Sequence, residues 1–290
     1  MDNVAFCFIV KDGDKYLEKN LTKIIQFGDL YLDNYRIYYV ENDSIDKTNH
    51  ILENFKKKYK NIYGKHLKLD GKHSTELCKN NNEYNCSNRT RRLAFIRNQV
   101  LNQAKKWKDC KYMIMLDLDF IDFDMKELHN MFNIIKNSKN INGIFGMSIT
   151  NKKCLYDVDS VKPSYKLIEI YFNKILIKVD SAFSGFGIYK MKYIIDNNLN
   201  YNEKTNNIEH IDFNKQIKNL YVYSNFIPKY YSDGLCLSNI IINIIISALF
   251  ILLIIFSQSF SKVISIFISI SYVFMCKNKY YKYKKYNYKI

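Results

Sequence analysis

The stretch KYMIMLDLDFID, residues 111–122, decides the architecture. Met113 to Leu116 are four consecutive apolar residues with no polar face, the pattern of a short strand buried on both sides. The run ends in Asp117, Leu118 and Asp119. Period-two alternation points Asp117 and Asp119 to one side. Two ionised carboxylates there repel each other and are costly if dry and unpaired, so a cation or solvent must meet them. Solvated strand-end residues, or caps for the following helix, are the plainer account.

Working outward, residues 1–230 alternate strand-like and helix-like patterns. VAFCFIV (4–10) reads as a strand followed by an amphipathic segment to about Phe27, and YRIYYVE (35–41) as a second strand. The helix after it takes Ser44 or Asp46 as its N-cap. Residues 70–88 are polar and aperiodic, a long helix is expected over about 89–108, and Asp124 with Glu127 forms a capping box for the next. Such alternation predicts an α/β fold, a sheet with parallel strands and helices on both faces, with ligands beyond the carboxyl ends of the strands. Glu41, Asp43, Asp117 and Asp119 all fall at such ends.

The chain has 290 residues and a formal net charge of +16, of which six lysines lie in the last fourteen residues. The remainder is still basic enough to attract anionic substrates or lipid headgroups. No zinc knuckle, RNP-like aromatic motif or helix-turn-helix signature is present, so nucleic acid is not the expected partner. Seven scattered cysteines form no CxxC or Cys/His metal spacing. Reduced thiols are expected, although Cys78 and Cys86 could close a small loop in a secreted domain. The N-terminus has neither the basic nor the apolar region of a signal peptide.

Residues 235–256 are apolar and uncharged, long enough to cross a hydrocarbon core of roughly 30 Å. A second apolar run, 263–276, precedes the basic tail 277–290. The expectation is a C-terminal hairpin or re-entrant membrane anchor. The tail lysines and the leaderless N-terminal domain would then both face the cytosol.

On the long helix, Leu93, Val100, Ala104 and Trp107 form one stripe, and Arg97 falls inside it. A guanidinium there needs an anionic partner: the Asp117–Asp119 segment, a structural ion pair, or an anionic ligand. Arg91 and Arg92, one turn earlier, are candidates for phosphate contact or a solvated face. DSAFSGFGIYK (180–190) supplies Gly185 and Gly187, which allow close backbone approach to a ligand and equally suit a bulge or tight turn. NNIEHIDFNKQIKN (206–219) sets Glu209, His210 and Asp212 at the start of a helix, where capping is the plain role.

Three motifs in order, ENDSIDKT (41–48), RRLAFIRN (91–98) and MLDLDF (115–120), resemble GT-A glycosyltransferases, with similarity to fungal capsule-associated α-1,3-mannosyltransferases. The resemblance implies a GT-A, Rossmann-like fold with a mixed, mostly parallel sheet flanked by helices. It also implies transfer of a hexose from a UDP- or GDP-sugar to a hydroxyl of a glycan, lipid or protein, assisted by Mn²⁺ or Mg²⁺. Asp119 would bind the metal, Asp117 the ribose or the metal's water shell, and Glu41 and Asp43 the base or ribose. The anionic ligand open to Arg97 would be the donor's diphosphate, with the structural ion pair the favoured alternative, and Gly185 and Gly187 would shape the sugar pocket. Relatives that invert the anomeric centre carry Glu-Asp where this chain has Glu209-His210. The base is therefore expected at Glu209 or Asp212, with His210 a metal or phosphate ligand. A metal-dependent nucleotidyltransferase and an inactive, membrane-attached polyanion-binding protein are the alternatives.

Overall fold

Apolar alternation along the strands accounts for the layering. In the computed structural model, which describes residues 1–69, 87–151, 155–171 and 175–230, Ala5, Cys7, Met113 and Met115 face one side of a sheet while Val4, Phe6, Phe8, Ile114 and Leu116 face the other. The described residues belong to one compact unit, Met1–Cys236. In chain order the elements are β1 (Asn3–Val10), α1 (Asp14–Tyr31), β2 (Asn34–Asn42), α2 (Thr48–Lys58), β3 (Ile62–Leu67), α3 (Ser87–Lys105), β4 (Tyr112–Leu116) and β5 (Phe120–Asp122). They continue with α4 (Met125–Asn137), β6 (Gly143–Phe145), β7 (Ile149–Thr150), a 3-10 turn (Val158–Ser160), α5 (Lys166–Tyr171), β8 (Leu176–Val179) and β9 (Phe186–Lys190). The last are α6 (Met191–Asp196), α7 (Glu209–Asn214), β10 (Leu220–Tyr223) and β11 (Lys229–Tyr230).

Among the described residues the main sheet has eight strands in the order β3-β2-β1-β4-β9-β6-β10-β8. β3, β2, β1 and β4 are parallel, whereas β9 lies antiparallel between β4 and β6. The reversal of β9 brings the turn before Phe186 alongside the carboxyl end of β4, and β8 at the sheet edge is antiparallel to β10. A second sheet, β5-β11-β7, has three strands. α3, α6 and α7 contribute to one core, while α1, α2 and α4 contribute to the other. Burial of both faces explains the unbroken apolar run at 113–116, where each side chain contributes roughly 1.5–3 kcal/mol.

Local differences from the sequence reading have physical causes. α2 starts at Thr48 with Lys47 at its N-cap, not Ser44 or Asp46. Ser44 Oγ instead accepts the Asp12 N–H at 2.9 Å, and Asp46 accepts the N–H groups of Thr48 and Asp14 at 2.9 and 3.0 Å. These side chains stitch the turn after β2 to the turn after β1. Asp124 does cap α4, accepting from Lys126 and Glu127 N–H. Glu127, however, turns to the Tyr223 hydroxyl at 2.8 Å and not back to the cap. Among the described residues no helix is long and apolar enough to cross a membrane. The apolar segment 235–276, the tail 277–290, and residues 70–86 with Cys78 and Cys86 lie outside the described residues.

Candidate functional site

β4 ends at Leu116, so a turn, not strand alternation, holds Asp117 and Asp119 together. The Asp117 N–H donates to the Gly185 carbonyl at 2.9 Å, tying this turn to the one before β9. Asp117 Oδ1 accepts from Arg97 Nη2 at 3.0 Å, and Arg97 Nε donates to Glu209 Oε1 at 3.1 Å. Arg97 projects from the core face of α3, is 4% exposed, and lies 5.0 Å from the centre of the Phe183 ring. Burial opposes its charge, but Asp117 and then Glu209 outweigh that and push its pKa up. Of the partners open to Arg97, the fold supplies two carboxylates at once. Its Nη1 has no hydrogen-bond partner among the described residues.

Two more carboxylates crowd this place. Asp119 keeps exposed surface, yet the protein walling it and the adjacent Asp117 raise its pKa to about 7, against the pull of Arg97 and Arg89. Asp157, just before the 3-10 turn, has a left-handed backbone (φ 54°), a conformation Asp tolerates better than most residues. One of its carboxylate oxygens accepts the Ser184 N–H at 3.2 Å, and its carbonyl accepts from the Ser160 N–H and hydroxyl at 3.2 and 2.9 Å. Burial, Asp117 and Glu209 raise the Asp157 pKa to about 7, against the pull of the Ser160 hydroxyl and the Ser184 amide.

Tyr156 and Tyr230 stack beside these acids, with ring centres 4.4 Å apart and planes 5° apart. The Tyr230 hydroxyl donates to the Gly185 carbonyl at 3.1 Å. Gly185 has φ +74°, and a Cβ there would fall 2.3 Å from that hydroxyl, so glycine is required twice over. Gly187 is different. It sits within β9, where a Cβ would meet the Phe145 ring at 2.9 Å, which makes it a packing position.

The 209–212 segment divides by direction. Glu209 joins Arg97. His210 is 2% exposed and stacks on Phe183 at 3.4 Å between centres. Its Nδ1 is 3.4 Å from the Tyr201 hydroxyl, and its Nε2, 3.6 Å from Glu209 Oε1, has no hydrogen-bond partner among the described residues. Burial and Arg97 push its pKa well below the ordinary value, so the imidazole is neutral. Asp212 turns to its own loop, accepting from the Thr205 hydroxyl and from Asn207 Nδ2. Arg91 is bound to that same loop through the Thr205 carbonyl and Asn206.

At the end of β2, Glu41 is 1% exposed and accepts the Ser44 N–H at 2.7 Å. Asp43, at φ 52°, accepts the Leu69 N–H at 2.8 Å. Both carboxylates hold the turn in which they sit.

Sequence reading missed Asp157, Phe183 and Asn98. Asn98 accepts the Tyr201 N–H at 2.8 Å and donates to the Tyr201 carbonyl and Glu203 at 2.9 and 2.7 Å, anchoring the loop that leads to Glu209. Its place beside Arg97 in RRLAFIRN was the available signal; nothing local marks Asp157.

The carboxylates are oxygen donors of the kind that hold Mg²⁺ or Mn²⁺. Among the described residues no group of three or more His, Cys, Asp or Glu side chains converges as a self-sufficient metal site.

No family model and no curated protein matches the sequence. Solved structures do share the fold. S. aureus TarS 1-349 in complex with UDP aligns over 79% of this chain and 60% of that one, at TM-score 0.52 and 16% identity. Its complex with UDP-GlcNAc aligns over 81% and 60%, at 0.52 and 15%. Mannosyltransferase PcManGT from Pyrobaculum calidifontis, in complex with GDP-Man and Mn²⁺, aligns over 78% and 56%, at 0.50 and 10%. The chain thus spans under two thirds of these structures. At such identities the likeness establishes the fold, and the mixed sheet flanked by helices fits GT-A.

Proposed function

We propose that this chain is a metal-assisted glycosyltransferase, moving a hexose from a UDP- or GDP-sugar to a hydroxyl of a glycan, lipid or protein. One observation carries the reading: Asp117 and Glu209 share the single buried guanidinium of Arg97 at the carboxyl end of β4, and Asp119 and Asp157 crowd beside that pair. An excess of carboxylate at a strand end is stable when a cation joins it.

The residues fit a divalent ion. One or two carboxylates suffice when a substrate's phosphates complete the coordination, so the lack of a three-residue cage is no obstacle. Asp119, with Asp117 beside it, would hold Mn²⁺ or Mg²⁺, which when bound supplies charge neutralisation for the leaving diphosphate. The complexes of the fold's neighbours with UDP, UDP-GlcNAc, and GDP-Man with Mn²⁺ support this donor class.

The protein's own groups do the rest. Arg97 fixes Asp117 and Glu209 against each other and leaves Nη1 for an anionic oxygen. Gly185 lets the backbone lie against the turn of Asp117. Glu209 is matched by Arg97 and Asp212 by its loop, so Asp157 is the carboxylate left to take a proton from the incoming hydroxyl. The apolar segment 235–276 would anchor this unit, residues 1–230, to a membrane with the site on the cytosolic side.

Calorimetry with UDP and GDP, with and without Mn²⁺, followed by donor turnover, tests the reading. Metal-dependent binding and release of a nucleoside diphosphate are expected. Release of pyrophosphate would mark a nucleotidyltransferase. Turnover unchanged by both EDTA and Asp119→Ala would overturn the assignment.

A further inference from the structure

His66 belongs to none of the chemistry above, yet it occupies a built site. It faces Glu41 across the β2–β3 register and places Nδ1 2.9 Å from Glu41 Oε2 and Nε2 3.0 Å from Glu53 Oε1 on α2. Glu41 is buried, and its other oxygen holds the Ser44 N–H at 2.7 Å. The chain from imidazole to turn is therefore His66, Glu41, Ser44. Asp43 fastens the same turn to Leu69, just beyond β3.

The state of the ring follows from donor counting. A neutral imidazole has one N–H and one lone pair, so it can donate to only one of two carboxylates. An imidazolium donates to both. The titratable groups facing the ring are Glu41 and Tyr39 on β2 and Glu53 on α2, with Lys56 3.7 Å from Glu53. Partial burial opposes the charged ring, and the hydrogen bonds and fields of Glu53 and Glu41 outweigh it, so the His66 pKa is raised.

We propose that His66, as an imidazolium clasped between Glu41 and Glu53, is a positioning residue that sets the 41–44 turn. This turn receives the nucleoside of the donor, and that part rests on the glycosyltransferase reading above. Deprotonation leaves Glu41 or Glu53 facing a lone pair. The clasp is then complete below the His66 midpoint and loosens as pH rises through it.

The full chain serves for the test. His66 is titrated by nuclear magnetic resonance, with His66→Gln identifying its signal, while exchange of the Ser44 amide is followed between pH 6 and 8.5. UDP and GDP binding in Mn²⁺ is measured over the same range. The expected result is a high His66 midpoint, faster Ser44 exchange above it, and nucleotide affinity falling about tenfold across it, the loss of roughly one charge-assisted hydrogen bond. Affinity should change less with pH in His66→Gln. In Glu53→Gln, which leaves Glu41 untouched, the midpoint should move to lower pH. Equal pH dependence in wild type and His66→Gln, or Ser44 exchange indifferent to the His66 titration, overturns the clasp. Ser44 exchange that follows His66, with no nucleoside diphosphate bound at any pH, upholds the clasp and overturns the donor reading.

Discussion

The carboxyl ends of β2 and β4 both carry clustered acids, and they treat them in opposite ways. At β2, Glu41, Asp43 and Asp46 each accept backbone N–H groups, and Glu41 adds the His66 ring. Every acid there has an assigned donor. At β4, Asp117 and Glu209 share one buried guanidinium, and Asp119 and Asp157 beside them are lifted toward neutrality. Residue type is the same at the two ends. What differs is how fully donors offset the crowding: at β4 Asp157 accepts the Ser184 N–H and is still lifted toward neutrality with Asp119, and that separates acids that build a turn from acids left available to a ligand.

The hardest blow to this contrast is Arg97→Leu. It leaves Asp117 and Glu209 without their shared cation, and denaturant unfolding should show a loss of about 3–5 kcal/mol. Arg97→Lys keeps the charge but not the fork, so it should fall between. Asp119→Ala comes next, with an expected fall in donor turnover of at least about 100-fold, since even outer partners of a metal cost 10–100-fold. Its melting temperature should hold or rise, because a crowded acid has gone. A matching loss of stability would show that Asp119 is structural.

Proton linkage sharpens the contrast further. Asp119 and Asp157 hold protons up to about 7 in the fold, whereas unfolded carboxyls release them near about 4. The stability of these neutral carboxyls is complete below that lower value and is lost as pH rises through 7. Mn²⁺ should therefore raise the melting temperature more at pH 8 than at pH 5. At a hundredfold excess over its dissociation constant the gain is about 2.7 kcal/mol. The smallest effect is expected at the other end: Asp46→Ala should cost about 1 kcal/mol and leave Mn²⁺ binding unchanged.

Much of the fold was legible because periodicity reports burial directly. The 113–116 run and the 4–10 strand depend on local pattern, and each became a strand with the buried faces expected of it; of the helical stripe, Val100 and Ala104 are buried on α3, Trp107 is buried just past its end, and Leu93 is half-buried. Arg97 was conspicuous because a charge on an apolar stripe contradicts its surroundings. The reversed direction of β9 was not legible, since a strand's orientation depends on which neighbours it meets. Asp157 was invisible for the same reason: its importance comes from Ser184 and Asp117, far away in sequence. The roles of Ser44 and Asp46 misled because a capping residue and a turn-stitching residue look alike until the partner N–H is known.

Tyr230 closes over Gly185, more than a hundred residues after Asp117, and lies in the last element described. A polypeptide emerging from the ribosome therefore presents its aspartates, its arginine and Glu209 well before the ring that caps them. A truncation ahead of β11 would retain all those charged groups while stripping away their aromatic lid, so protein shortened in this way should be judged by its tyrosine stack before its inactivity is blamed on chemistry.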